Sequence, residues 1–99
     1  MLRAVFVRTL RSGVTYEQFK AAWVPEGTAG DYPAKSWVSR NVANDRQVIT
    51  IVEFDVPLTE IAAAIASLVR SDARDRLSEI IESSELEAVF EDVFDETSL

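Results

Sequence analysis

The side chains of this chain that could do chemistry are few, and they are of a binding rather than a cleaving kind. Trp37 and Asn41 lie on KSWVSRNVA and Thr50 on QVITIVEFD, two segments that read as neighbouring strands. An indole beside an amide and a hydroxyl is an apolar wall with a few orienting polar groups, the usual make-up of a small-molecule pocket. Arg8, at the end of the first strand, could pair with an anionic substrate, or it is an exposed strand-end arginine. Glu53 interrupts an apolar strand face and is either a candidate general base or an acid standing in water at the strand end. Trp23 sits on the apolar stripe of a helix, as core or as ligand contact, and Tyr32 sits in an irregular loop, at a pocket mouth or packed on the surface.

Other chemistries are excluded by what is missing. The chain has neither histidine nor cysteine, so it has no imidazole base, thiolate nucleophile, disulfide or thiolate metal site. Only an oxygen-ligated metal would remain, and no carboxylate cluster has the EF-hand spacing. Gly13, Gly27 and Gly30 cannot be arranged into GxGxxG or GxSxG. The expectation is no metal and no cofactor.

At 99 residues, 47% hydrophobic and 27% charged, residues 1–99 read as one globular domain. No apolar run is long enough to cross a bilayer, and MLRAVFVRTLRSG is too short and too alternating for a signal peptide, which points to a cytoplasmic protein without a membrane partner. Residues 1–50 carry seven Lys/Arg against four Asp/Glu, and residues 51–99 three against thirteen. That balance argues against nucleic acid, which needs a basic face. The acidic end is either a solvated face or a surface meeting the basic half of a second subunit.

The elements that must position these residues follow from periodicity. Leu2 to Thr9 alternates Leu2, Ala4 and Phe6 against Val5 and Val7, a first strand. Thr15 and Gln18 have capping-box spacing before a helix with Tyr16, Phe19 and Trp23 on one face, ended by Pro25 and Gly27. PEGTAGDYP is a loop. Lys35 to Ala43 is a second strand, joined through an Asn44-Asp45 turn to a third, Gln47 to Asp55. That turn pairs Trp37 with Val52, Ser39 with Thr50 and Asn41 with Val48. Thr59 can cap a helix carrying Ile61, Ile65, Leu68 and Val69, and Ala73, Leu77, Ile80 and Ile81 repeat its template, as one bent helix or two. Leu86 to Phe94 alternates again as a fourth strand.

The order βαββαβ predicts an α+β, ferredoxin-like fold, with helices on one face of an antiparallel four-stranded sheet. The third strand is apolar on both sides, Val48, Val52 and Phe54 against Ile49 and Ile51, so its second face needs a cover that so short a chain can hardly provide. With Trp37, Val52 and Phe54 on the open face, a homodimer is expected, two sheets packing face to face.

The strand LRAVFVRT, the capped helix TYEQFKAAW with Phe19 and Trp23 four apart, the strand QVITIVEF and the closing EAVFEDVF together resemble the dimeric α+β barrel superfamily. The EthD-like and antibiotic-biosynthesis-monooxygenase-like groups are the most similar. The resemblance covers nearly the whole chain in pattern, and it implies a homodimer acting on an apolar small molecule. One position departs from it: where the EthD-like pattern has a histidine four residues after the helix aromatic, this chain has Gly27. Haem ligation or imidazole catalysis is therefore not implied. Two readings follow. One is an enzyme that orients an apolar, aromatic or polyketide-like compound for cofactor-independent oxygenation or isomerisation, using Trp37, Asn41, Thr50 and Arg8. The other is a non-catalytic dimer that binds a ligand or a partner protein.

Overall fold

In a computed structural model that describes residues 1–25 and 34–93, the chain runs β1 (Leu2–Leu10), α1 (Tyr16–Trp23), β2 (Ser36–Asn41), β3 (Asn44–Phe54), a 3-10 turn (Leu58–Glu60), α2 (Ile61–Ser67), α3 (Ala73–Ile80) and β4 (Ile81–Glu91). The sheet order is β2-β3-β1-β4 with every neighbouring pair antiparallel, the ferredoxin-like α+β arrangement. β1 and β3 are the central strands. Among the described residues no helix is long and apolar enough to cross a membrane.

Alternation along the central strands divides the molecule. Leu2, Ala4, Phe6 and Arg8 of β1 pair in register with Phe54, Val52, Thr50 and Val48 of β3, and this set faces the helices. Arg3, Val5 and Val7 pair with Glu53, Ile51 and Ile49 on the opposite, open face. β4 adds Phe90, Ala88 and Leu86 to that face, opposite Arg3, Val5 and Val7. The third strand is therefore apolar on both sides, as its sequence predicts.

The helices cover their face in two separate pieces. At one end Leu10, Phe19, Trp23, Val48 and Ala73 form a cluster, with Phe19 fully enclosed and its ring tilted 59° to that of Trp23 at 6.3 Å. At the other end Leu2, Ala4, Val52 and Phe54 pack against Ile61, Ala64, Ile65 and Leu68. The predicted capping box is formed: the Gln18 amide N–H donates to the Thr15 hydroxyl and the Thr15 N–H donates to the Gln18 side chain. Tyr16, expected on the apolar face, is half exposed.

Four expectations are corrected. The hairpin turn is Val42-Ala43, closed by Asn41 opposite Asn44, not Asn44-Asp45. Asn41 Oδ1 accepts from the Ala43 N–H and Asn44 Oδ1 from the Arg46 N–H, so the two asparagines brace the turn from its flanks. The pairing moves by one residue: Trp37 faces Ile51, Val38 faces Thr50 and Ser39 faces Ile49. A one-residue slip exchanges faces, so Val52 and Phe54 lie in the core and Trp37 shares the open face with Ile49 and Ile51. Thr59 lies inside the 3-10 turn rather than capping a helix. β4 starts at Ile81, five residues earlier than predicted, and the second helical region, open in sequence between one bent helix and two, is two helices. Phe94 lies outside the described residues.

Ion pairs join the ends of the chain. Arg3 contacts Glu53 at 2.6 Å and Asp92 at 2.9 and 3.2 Å, bridging β3, β1 and the segment after β4. Arg46 reaches Glu82 at 3.3 Å. The acidic C-terminal part thus meets basic residues of its own N-terminal half. Glu85 accepts from Thr9 and from Ser83 at 2.9 Å.

Phe19→Ala should lower unfolding free energy by about 3 to 5 kcal/mol in chemical denaturation, the range for truncating an enclosed aromatic. The hydrogen bond from Arg3 holds the Asp92 carboxyl below its ordinary value of 3.8, and the one from Thr9 holds Glu85 below 4.5. For depressed carboxylates the stabilisation is complete above those ordinary values and disappears as pH falls through the lowered ones. Stability should accordingly decline below about pH 4.5, and Asp92→Asn or Glu85→Gln should make that decline shallower. Curves that stay parallel to the parent in acid titrations would show that these bonds contribute nothing to stability.

Candidate functional site

The two core clusters do not meet, and the gap between them is a cavity of about 540 Å³. Its floor is the middle of the helix-facing sheet: Ala4, Phe6, Arg8, Thr50 and Val52. Its walls are Trp23 on the α1 side, Phe54, Ile65 and Leu68 on the α2 side, and Val69, Ala73 and Leu77 from the turn into α3. Exposed Arg74, Ser78, Glu82, Ser83, Ser84 and Glu87 mark its mouth. Volume and lining are those of a small-molecule site, mostly apolar with a few polar groups.

Three of the residues expected from sequence come together here: Arg8, Trp23 and Thr50. Trp23 is held by the end of α1, where its backbone carbonyl accepts from the Arg70 N–H at 2.9 Å. Thr50 is 5% exposed, and its hydroxyl has no hydrogen-bond partner. Arg8 lies with its guanidinium carbon 4.5 Å from the centre of the Phe6 ring, a cation–π stack. Burial pushes Arg8 below its ordinary value, and Glu87 on β4 opposes part of that shift. Arginine remains charged at neutral pH all the same.

The other expected residues are elsewhere. Trp37 is 41% exposed on the open face, with the Lys35 ammonium 5.3 Å from its ring centre. Asn41, at the hairpin end, donates to Gln47 at 2.8 Å. Glu53 is engaged by Arg3 on the open face. The sheet therefore separates Trp37, Asn41 and Glu53 from Thr50. Tyr32 lies outside the described residues.

Sequence reasoning missed Phe6, Glu87 and the walls from α2 and α3. A signal was present: Arg8 is in the same alternating phase as Leu2, Ala4 and Phe6, and Thr50 is in phase with Val48, Val52 and Phe54. Polar residues in the buried phase of both central strands mark the floor. Among the described residues no group of three or more acids is placed to hold a metal ion.

Compared with known proteins, the chain matches no family model, no curated protein and no solved structure. The cavity itself is therefore the ground for a functional reading.

An enclosed hydroxyl without a partner destabilises the fold it sits in. Thr50→Val, nearly equal in shape, should leave the unliganded protein as stable as the parent or more stable by about 1 kcal/mol in thermal unfolding. A loss of 2 kcal/mol or more, roughly the cost of a broken buried hydrogen bond, would mean that the hydroxyl is satisfied within the fold.

Proposed function

We propose that this protein is a homodimer of the dimeric α+β barrel type that takes an apolar, aromatic small molecule into the cavity between its sheet and helices. The observation that carries the reading is the gap between the two core clusters, apolar on its walls and set with Arg8 and Thr50 on its floor. A well-packed interior leaves few voids larger than a water molecule. A gap of this size, kept open where the central strands turn a guanidinium and a hydroxyl inward, is suited to a guest.

The reaction class that fits is cofactor-independent oxygenation, with dioxygen as oxidant, or isomerisation of a cytoplasmic aromatic compound. The protein's part is to orient the substrate and to stabilise its anion as that forms. The absence of histidine and cysteine favours a second reading, binding without turnover. Oxygen uptake and product analysis with the bound compound separate the two.

The open face supports the dimer. Trp37, Leu86 and Phe90 are 41, 38 and 49% exposed, and they surround half-buried Val5, Val7, Ile49 and Ile51. A contiguous apolar sheet face of this kind is rare on a monomer. At its edge Arg3 pairs with both Glu53 and Asp92 and balances one of their two charges, and an apolar sheet face is matched by its own copy.

In a Trp37→Phe background, Trp23 is the remaining indole, and its emission should shift or be quenched when an aromatic ligand of two or three rings is added. Indifference of Trp23 to a series of such ligands would contradict the cavity reading. Light scattering on a sizing column should give twice 11.0 kDa for the parent and a monomer for Ile51→Glu. A monomeric parent would contradict the barrel.

A further inference from the structure

Among the described residues Arg8 differs from the other arginines. Arg3, Arg46, Arg70 and Arg76 each hold a carboxylate of the chain. Arg11, Arg40 and Arg74 stand exposed in water. Arg8 is half-buried and makes no ion pair, although the chain carries 17 acidic residues against 10 basic ones. Glu87, on the neighbouring strand, is near enough to influence it but does not contact it. A partly desolvated cation without an ion-pair partner is unfavourable, and one lining a cavity marks where a ligand's charge belongs.

Thr50 is an independent pointer to the same spot. Phe6 pairs directly with Thr50 across the two central strands, and the Arg8 guanidinium lies over the Phe6 ring, so Arg8 and Thr50 are both neighbours of Phe6 on the cavity floor. The Thr50 hydroxyl is enclosed, has no partner and lines the cavity. A guanidinium over a ring keeps N–H groups that the ring does not take up, and a carboxylate accepts from such groups.

Building on the reading that the cavity holds an apolar compound, we infer that this compound is a monocarboxylate. Its carboxylate lies between Arg8 and Thr50, and its apolar, planar body extends over Ala4 and Val52 toward Leu68. One oxygen accepts from the guanidinium and the other from the threonine hydroxyl, which satisfies both groups at once. A single charge is required. Glu82 and Glu87 outnumber Arg74 at the mouth, and the chain as a whole carries a net charge of -7, so phosphates and dicarboxylates meet net repulsion with no second cation on the floor.

Calorimetric titration with naphthoate, naphthamide and naphthalenedicarboxylate tests this, since the three share a ring system and differ in charge. Naphthoate should bind at least about 10-fold more tightly than naphthamide, the factor expected of a charge-assisted hydrogen bond. The dicarboxylate should bind more weakly than naphthoate. Arg8→Met should abolish the preference for naphthoate while leaving naphthamide affinity within a factor of about two, Arg8→Lys should keep part of it, and Thr50→Val should lower naphthoate affinity several-fold. Melting curves for Arg8→Met and Thr50→Val at or above the parent's would show that lost binding is not lost folding. Equal affinity for acid and amide, unchanged by Arg8→Met, overturns the carboxylate inference and leaves the cavity reading standing. If none of the three binds, both fall.

Discussion

Antiparallel pairing of β1 with β3, Leu2 opposite Phe54 through Thr9 opposite Gln47, is the constraint on which the rest depends. Because side chains alternate along a strand, this register sorts the residues of both central strands at once. Leu2, Ala4, Phe6, Val48, Val52 and Phe54 go to the helices, and Val5, Val7, Ile49 and Ile51 go to the other side. Arg8 and Thr50 are carried inward with the apolar set. They enter because of their phase, not because the interior suits them.

What the helices do with that inner face explains the cavity. α1 and α3 gather around Phe19 at one end, while α2 and Val56 cover Phe54 at the other. Each group is large enough to shield its own end of the sheet, and neither reaches the middle. Filling the gap with larger side chains at Ala4 or Ala73 would add apolar contact at about 25 cal/mol per Å². The chain instead keeps small residues there and leaves a hydroxyl and a guanidinium unanswered beneath. Stability forgone at one place, with the groups aimed at one space, is the pattern of a binding site.

The fold was legible because its signals are redundant. Alternation in LRAVFVRT, the Thr15–Gln18 box and the two-sided apolar strand QVITIVEF each point to the same arrangement. The site was legible only in part, and the cause is one hairpin. Asn44-Asp45 looks like the better loop because both side chains tolerate positive φ, but no non-glycine residue among those described uses positive φ. The asparagines act through side-chain bonds from outside the turn, and the loop is the fully exposed Val42 with Ala43. A register irregularity between Arg40 and Asn41, whose partners Val48 and Asn44 are separated by three residues of β3, then moves the pairing by an odd step and places Trp37 on the face opposite Thr50. The walls from α2 and α3 were not legible, since which of their apolar positions reach the gap depends on how far apart the two clusters pack.

The two faces of the sheet have separate roles in this reading, the helix-covered face receiving the ligand and the open face the second copy. Methyl NMR of the protein, titrated with naphthoate, would report on both faces in one experiment. Shifts are expected at Ala4, Val52, Ile65, Leu68 and Leu77, with Val5, Val7, Ile49, Ile51 and Ala88 unmoved. Shifts confined to the second group would place the ligand against Trp37 on the open face and contradict the assignment of the site.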